Sequence, residues 1–231
     1  LVPHPSEQQM FFQRRQSLAF YKNYIQSIVK AMIEPVFNKD INREVMINGE
    51  AVADGMFVNE FINNASGDGR GLQAVVESCL DTARLHGVTF LIIDNETAEV
   101  QPLIKQDAID KRLFPYIYNR VAQDVNSWEC DKLGRLVWIK FNDDPVKVDD
   151  KFRKRWSRWD AMSYDEYEEA KDNAGKPIEV LIRHVEHNLG KIPVLPIFTT
   201  ERKKIKNILV DPPLYDLAKV NHAIFNKDSE I

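Results

Sequence analysis

The chain has 231 residues, of which 44% are hydrophobic, and this is enough for one sizeable core or for one domain with a smaller satellite. Charged residues make up 29% of the chain, and the formal net charge is −4. A single module that binds nucleic acid tightly is usually strongly basic, so the overall charge gives no support to such a module, although it does not exclude a local basic face.

The first predicted element is a long helix within residues 1–37. Ser6 and Gln9 have the spacing of a capping box at a helix start. Apolar side chains then recur mostly every three or four residues and share one helical face: Phe11, Leu18, Tyr21, Ile25, Ile28, Met32 and Val36. Pro35 should end the helix or bend its last turn. A helix of this length must lie across something large, such as a sheet or a neighbouring subunit.

Residues 38–54 are polar and predict a loop with a short strand at 45–47, and a short helix is predicted at 57–62. A glycine-rich turn at 67–71 follows. It precedes a helix, as a phosphate-binding loop would, but it lacks a Gly-Lys-Ser/Thr ending and no apolar strand leads into it. We interpret it as a flexible helix entry, with Asp68 as the cap.

A second amphipathic helix is predicted from apolar residues at helical spacing, namely Leu72, Val75, Val76, Cys79, Leu80 and Ala83. Gly87 should end it in a left-handed conformation. Cys79 lies on its apolar face and is expected to be a buried thiol. Cys79 and Cys130 form neither a metal-binding spacing nor a disulfide framework, which fits a reducing, intracellular setting. The apolar run 88–93 predicts a strand buried on both faces.

The second half of the chain is mostly β. Alternating or apolar runs predict strands at 116–121, 133–141, 178–185 and 194–198. Pro212 and Pro213 open a further predicted helix. The predicted fold class is α+β, with a long N-terminal helix and further helices packed on a mixed, mainly antiparallel sheet. We expect a single domain over 1–231, in which 38–210 form the α+β body and 211–231 begin the further helix.

The patterns that usually mark catalysis are weak. His184 and His187 should diverge, because one lies on a predicted strand and the other in the following turn. His86 at a helix end is interpreted as structural. The acidic pairs at 143–144 and 149–150 are interpreted as solvated loop charge, and no Gly-x-Ser-x-Gly elbow occurs. We predict no catalytic residue, no cofactor and no metal ligand.

One stretch, at 151–159, combines basic and aromatic side chains. Its candidate contact residues are Arg153, Lys154, Arg155, Trp156, Arg158 and Trp159. Basic groups contact phosphates and aromatic rings stack on exposed bases, so the stretch could contact nucleic acid. It could equally form a subunit interface, or the tryptophans could anchor a strand in a core while the arginines pair with the acidic residues that follow. These three interpretations stay open.

The hydropathy of the chain and its two ends bear on membrane insertion, secretion and the extent of the protein. No apolar run approaches the about 18 residues of a membrane-spanning helix, and no signal peptide is recognisable. The chain begins Leu-Val-Pro-His and ends soon after an amphipathic stretch has started. We therefore expect it to be a piece of a longer protein.

Several segments, taken in chain order, carry a resemblance to a known family. They are Pro3-His4-Pro5-Ser6-Glu7 with Arg15, Ala19, Tyr21 and Asn23 after it, 68–72, 86–94, Phe114-Pro115-Tyr116 followed by Trp128, 187–197, and 212–221. The closest local match is Leu189-Gly190-Lys191-Ile192-Pro193-Val194, followed by Pro196. In this order the segments resemble the N-terminal, wing-like part of tailed-bacteriophage portal proteins. Phe114 departs from the family pattern, in which arginine is common at that position.

The resemblance implies a structural subunit, not an enzyme. Portal proteins form a ring at one vertex of the capsid, often a dodecamer, through which double-stranded DNA is packaged and ejected. The implied partners are further copies of the chain, the terminase motor, capsid or scaffold proteins and head-tail connector proteins, with no membrane. The implied location is the virion, after assembly in the host cytoplasm. The stem, clip and tunnel loop of the family would follow residue 231.

Two alternatives to the portal interpretation remain. The first is a nucleic-acid-binding accessory domain that uses 151–159, and it predicts salt-sensitive binding. The second is an enzyme whose site is not visible from residue spacing, which a deep polar pocket with converging titratable groups would support.

Overall fold

The computed structural model describes residues 3–18, 23–39, 46–47, 50–51, 56–95, 114–148, 151–187 and 189–228. The described helices are α1 (Gln9–Leu18), α2 (Tyr24–Phe37), α3 (Met56–Asn63), α4 (Leu72–His86) and α5 (Tyr215–Asp228). The described strands are β1 (Met46–Ile47), β2 (Glu50–Ala51), β3 (Val88–Asp94), β4 (Tyr116–Val121), β5 (Val125–Cys130), β6 (Leu136–Val148), β7 (Lys151–Trp159), β8 (Ser163–Lys171), β9 (Pro177–Glu186) and β10 (Val194–Phe198). A 3-10 turn at Ala122–Asp124 joins β4 to β5.

The predicted fold class is wrong in its main feature, because the single long helix within 1–37 is absent and two shorter helices stand in its place. Helix α2 begins directly after Asn23, whose Oδ1 accepts a hydrogen bond from the backbone N–H of Gln26 at 3.1 Å. This cap satisfies a free N–H group of a new helix, so the apolar spacing runs across a helix boundary. Helix α1 has its own anchor, because Arg15 forms an ion pair of 2.6 Å with Glu7 in the preceding turn.

The predicted single mixed sheet is also wrong. Every described strand pairing is antiparallel, and the strands form separate sheets. The order β10-β3-β4 forms a three-stranded sheet, β5 to β9 form a five-stranded meander, and β1 pairs with β2. The apolar run at 88–93 lies in the central strand β3, which is covered by α4 on one face and by the five-stranded sheet on the other. A continuous apolar run is typical of a parallel strand that is buried on both faces. Here the run belongs to a strand with two antiparallel neighbours.

Most other predicted elements are present with bounds shifted by a few residues. The helices predicted at 57–62, from Leu72 and after Pro213 correspond to α3, α4 and α5. The strand predicted at 133–141 begins only at Leu136, because Asp131 Oδ1 accepts from the backbone N–H groups of Leu133 and Arg135 and holds a turn there. Part of the strand predicted at 45–47 lies outside the described residues.

The main core lies between the three-stranded sheet and one end of the five-stranded sheet. It contains Val88, Phe90, Ile92, Cys130, Ile139, Phe141, Trp159, Val194 and Ile208. The rings of Phe90 and Phe141 meet edge to face, with centroids 5.7 Å apart. A second core, between α4 and the other face of the three-stranded sheet, contains Ala65, Val75, Cys79 and Ile117. The prediction of a buried Cys79 is confirmed, and burial raises the pKa of its thiol to about 11.

Gly87 and Gly134 allow the segment 201–210, which follows β10, to pack closely on this core, because a Cβ at either position would overlap its backbone. Gly87 ends α4 with φ +85°, as predicted, and its N–H donates to the Ala83 carbonyl oxygen at 2.7 Å. Gly134 has φ +76° in the turn before β6, and a Cβ at this position would overlap the carbonyl oxygen of Ile205. The close approach brings Ile208 into the core.

The five-stranded sheet extends well beyond the core. We call the part that packs on the three-stranded sheet, around Ile139 and Trp159, the core end. We call residues 142–156 of β6 and β7, together with 167–181 of β8 and β9, the outer end. In the described part of the chain, no helix packs extensively on β7, β8 or β9. The outer end is therefore a surface that the described helices leave uncovered.

Candidate interaction surface on the five-stranded sheet

The predicted basic and aromatic stretch forms β7, which pairs with β6 on one side and with β8 on the other. Strand alternation divides its side chains between two faces. The inner face, directed toward the three-stranded sheet, carries Arg153, Arg155 and Trp159. The outer face carries Lys154, Trp156 and Arg158. The six candidate residues therefore share one strand but do not form one surface.

The two arginines of the inner face bind the same carboxylate, that of Glu168. Arg153 Nη1 donates to Glu168 Oε1 at 2.8 Å, and Arg155 donates to Glu168 Oε2 through Nη2 at 2.9 Å and Nε at 3.1 Å. The side chain of Glu168 is only 12% exposed. The hydrogen bonds from Arg153 and Arg155 lower the pKa of the Glu168 carboxyl group. These guanidinium groups are thus oriented by a carboxylate, although their side chains stay partly exposed.

Trp159 belongs to the core and does not form an exposed contact surface. It is 3% exposed, and its ring packs against Tyr164 of β8 with centroids 4.3 Å apart. Its buried Nε1–H donates to no acceptor among the described residues. An unsatisfied buried donor reduces the free energy of unfolding by about 1–3 kcal/mol, so the packing of the Trp159 ring must offset this cost.

Cations and aromatic rings alternate across the outer face. Lys140 of β6 is 8% exposed, and its Nζ lies 5.1 Å from the ring centroid of Trp156 and 4.9 Å from that of Tyr167. Its ammonium group also forms an ion pair with Glu179 of β9. Arg158 Cζ lies 5.3 Å from the ring of Trp138. We call Trp138, Lys140, Trp156, Arg158 and Tyr167 the cation-aromatic ladder, in which each cation lies over an aromatic ring.

The remaining charge of β7 is also mostly paired. Arg158 Nη1 lies 3.5 Å from Asp165 and 3.7 Å from Asp160. Asp165 also accepts a hydrogen bond of 2.5 Å from His184 Nδ1, and this bond raises the pKa of the imidazole. Lys154 is exposed and has no ion-pair partner among the described residues. Of the candidate cations, Lys154 is therefore the one available to an external anion.

Strand β9 forms one edge of the sheet, and among the described residues it pairs only with β8. It has ten residues and exposes apolar side chains on both faces: Ile178 at 41%, Val180 at 41%, Leu181 at 50% and Ile182 at 44%. The ladder with β8 is interrupted by one bulge at Ile182. A long apolar edge strand is a surface that another strand readily covers.

Two sequence interpretations of acidic residues are wrong. Asp143 is not solvated loop charge, because it lies on β6, accepts hydrogen bonds from Arg120 and Ser157, and has a pKa raised by burial. Asp68 does not cap α4, since the residue at the cap position is Gly71 and no side chain bonds there. Asp68 instead accepts from its neighbour Arg70, which lowers the pKa of the carboxyl group. The pair at 149–150 lies outside the described residues.

The histidines have separate surroundings. His184 bonds Asp165, whereas His187 Nε2 lies 3.2 Å from the carbonyl oxygen of Asp160. His86 ends α4, and its Nδ1 lies 2.7 Å from Gln123 Nε2. Within the described residues, no group of three or more His, Cys, Asp or Glu side chains is arranged to hold a metal ion.

Of the two residues that organise this surface, Glu168 is one of the acidic residues expected to pair with the arginines of β7, whereas no sequence pattern marks Lys140. Each becomes central only through strand register, since Lys140 lies opposite Arg158 and Glu168 lies opposite Arg155. One sequence pattern does indicate the pairing of charges between β7 and β8. The basic run of β7 and the acidic run of β8 flank the short turn at 160–162, so a hairpin places opposite charges side by side.

No model of a protein family matches the sequence, and no curated protein matches it significantly. None of the described helices is both long and apolar enough to cross a membrane.

Proposed function

We propose that this chain is the N-terminal, wing-like part of a tailed-phage portal protein, acting as a structural subunit of the ring. The proposal begins from the ordered sequence segments that resemble that family, and it assigns no catalytic residue and no cofactor. Its partners would be further copies of the chain, the terminase motor, capsid or scaffold proteins, head-tail connector proteins and the DNA that passes through the ring, at the capsid vertex.

The observation that carries the proposal furthest is the apolar edge strand β9. A ring built by cyclic symmetry needs two different surfaces on each subunit. Strand β9 supplies one of them, with exposed apolar side chains on both faces. Helix α1 offers a second, because Met10 is 66% exposed, Phe11 is 51% exposed and the helix packs extensively on no other described element.

The nucleic-acid-binding alternative has less support. Arg153, Arg155 and Arg158 are already paired with carboxylates, and Trp159 is buried. A base-stacking platform requires exposed rings beside free cations, and on β7 this combination is reduced to the exposed ring of Phe152 and Lys154. A subunit that lets DNA slide also benefits from weak phosphate contacts, which agrees with the net charge of −4.

The ring proposal is tested by native mass spectrometry of the full-length protein. We expect a closed ring of identical subunits, and the ring should dissociate when β9 carries Leu181→Lys. A charge at the centre of an edge strand blocks strand addition without entering the core. The matched control is Leu133→Lys, at a 65% exposed turn position, which should leave the ring intact. A monomeric wild-type protein at high concentration would contradict the proposal.

The alternative is tested by fluorescence anisotropy with duplex DNA at about 0.15 M salt. We expect no measurable binding. Binding that is lost in the triple variant Arg153→Ala, Lys154→Ala, Arg155→Ala would favour the accessory-domain function instead. Lys154→Ala alone is the cleaner variant, because its side chain is exposed and removing it breaks none of the ion pairs of Glu168.

A further inference from the structure

A cleft of about 760 Å³ opens where the three-stranded sheet meets the core end of the five-stranded sheet. One wall is formed by β3 and β4, which contribute Asp94, Tyr116 and Tyr118. The opposite wall is formed by Trp159 and Tyr164 of β7 and β8. The cleft is not used by the ring contacts proposed above, and the following inference is independent of them.

Aromatic rings line both walls. Tyr116 and Tyr118 are stacked with centroids 6.0 Å apart, and Trp159 stacks against His187 at 6.5 Å as well as on Tyr164. Burial raises the pKa of Tyr118, so its phenol stays neutral at physiological pH. Neutral rings present electron-rich faces, which attract cations and repel anions.

The charges of the cleft are mainly negative. Glu166 is neutralised by Arg183, whose Nη1 lies 3.1 Å from its Oε1, and Glu166 also accepts the Tyr164 hydroxyl at 2.9 Å. Among the described residues, Asp94 and Glu186 have no such guanidinium partner. Asp94 Oδ2 accepts the Tyr116 hydroxyl at 3.0 Å and its Oδ1 accepts the backbone N–H of Asn95 at 2.7 Å, while Glu186 lies 3.9 Å from His184. Uncharged donors do not cancel the charge of Asp94, so this carboxylate can supply a counter-charge to a ligand.

We propose that this cleft binds an organic cation, namely an ammonium group attached to an apolar body. The rings of Tyr116, Tyr118 and Tyr164 would contact the apolar part and the ammonium face, and Asp94 would supply the counter-charge. Phosphate-bearing ligands are excluded by the same carboxylates. The cation could be a free small molecule or the lysine side chain of a protein partner, and the two sources share this chemistry.

The test is isothermal titration calorimetry of the purified protein with choline and with its uncharged isostere 3,3-dimethyl-1-butanol. Choline should bind at least about tenfold more tightly, because the two ligands differ in charge and hardly in shape. Titration with Nα-acetyl-lysine N-methylamide identifies the source: tighter binding than choline indicates a lysine side chain, and weaker binding indicates a free cation. Equal affinity for choline and its isostere, or no binding of either cation, overturns the proposal.

Variants locate the site. Asp94→Asn should weaken choline binding about three- to tenfold, as expected for the loss of one partly screened counter-charge. Asp216→Asn makes the same change at a side chain that is 96% exposed and outside the cleft, and it should leave the affinity unchanged. Tyr118→Phe keeps the ring and should bind choline, whereas Tyr118→Leu should not. Thermal unfolding of each variant separates loss of the site from loss of the fold, and equal affinities for Tyr118→Phe and a folded Tyr118→Leu would count against the aromatic wall.

Discussion

The core end and the outer end of the five-stranded sheet are built from the same strands but are held together by different forces. At the core end, Ile139, Phe141 and Trp159 are buried against the three-stranded sheet. At the outer end, Glu168 binds Arg153 and Arg155 on one face, and Trp156 and Tyr167 extend the cation-aromatic ladder onto the other. Strand β7 crosses both regions, with Trp159 in the first and Arg153 in the second.

The difference shows why a single strand could support three interpretations from its sequence. Its composition is basic and aromatic along its whole length, but each side chain acquires a role from the element it faces. Burial stabilises the core end, because apolar area removed from water contributes roughly 25 cal/mol per Å². Partly exposed ion pairs contribute much less, about 0–1 kcal/mol each. We therefore expect substitutions in the two regions to differ strongly in their effects on stability.

The largest expected effect is that of Phe90→Ala. Phe90 is fully buried and packs on Phe141, so the substitution should reduce the free energy of unfolding by about 3–5 kcal/mol. The matched control is Phe152→Ala on β7, where the ring is 72% exposed and the loss should stay below about 0.5 kcal/mol. Urea denaturation of both variants measures the difference. Similar losses of unfolding free energy in the two variants would mean that the core end and the outer end are packed in the same way.

Gly134→Ala should have the next largest effect, a loss of about 2–4 kcal/mol, because it adds steric overlap with Ile205 to the strain of a positive φ. Gly175 provides the control. It has a similar φ of +78° in the turn between β8 and β9, but a Cβ there would meet nothing within 4 Å. Gly175→Ala should therefore cost only about 1–2 kcal/mol, the penalty of the left-handed backbone. Equal losses in thermal unfolding would show that the 201–210 segment does not pack tightly at Gly134.

Part of this arrangement could be predicted from the sequence, because some signals are local. The apolar spacing of Val75, Cys79 and Ala83 with Gly87 after them predicted α4 and its end. The acidic residues after Trp159 indicated that the charge of the basic stretch would be cancelled. The hairpin of β7 and β8 brings this about through direct cross-strand pairing.

Other structural features could not be predicted from the sequence, because they depend on residues that are distant along the chain. Apolar spacing alone could not show that Asn23 caps a new helix, since polar residues are also expected on the exposed face of one continuous helix. The run at 88–93 could not reveal whether its second face meets a helix or a sheet. The sequence could not show that Lys140 and Asp143 are paired charges, because their partners Glu179 and Arg120 lie on other strands.

At the outer end, Glu168→Gln should destabilise the protein less than Gly134→Ala. The pKa of the Glu168 carboxyl group is lowered by its arginines from an ordinary value of 4.5. A lowered folded-state pKa contributes stability above the unfolded value, and this contribution is lost as the pH falls through the folded value. The difference between wild type and variant should thus be present at pH 7 and vanish well below pH 4.5. Glu169→Gln, the neighbouring control without an ion pair of its own among the described residues, should show little effect at either pH.

The smallest expected effect concerns His184, which is about half exposed and bonds Asp165 at 2.5 Å. This bond raises the pKa of the imidazole above its ordinary 6.5, so the stabilisation is present below pH 6.5 and is lost as the pH rises through the folded-state value. His184→Gln should therefore cost more stability at pH 6 than at pH 8. An NMR titration of the His184 ring should show its pKa falling in Asp165→Asn, and falling less in Glu186→Gln, whose carboxylate is 3.9 Å away. If both variants lowered the pKa equally, general surface charge and not the Asp165 bond would control this histidine.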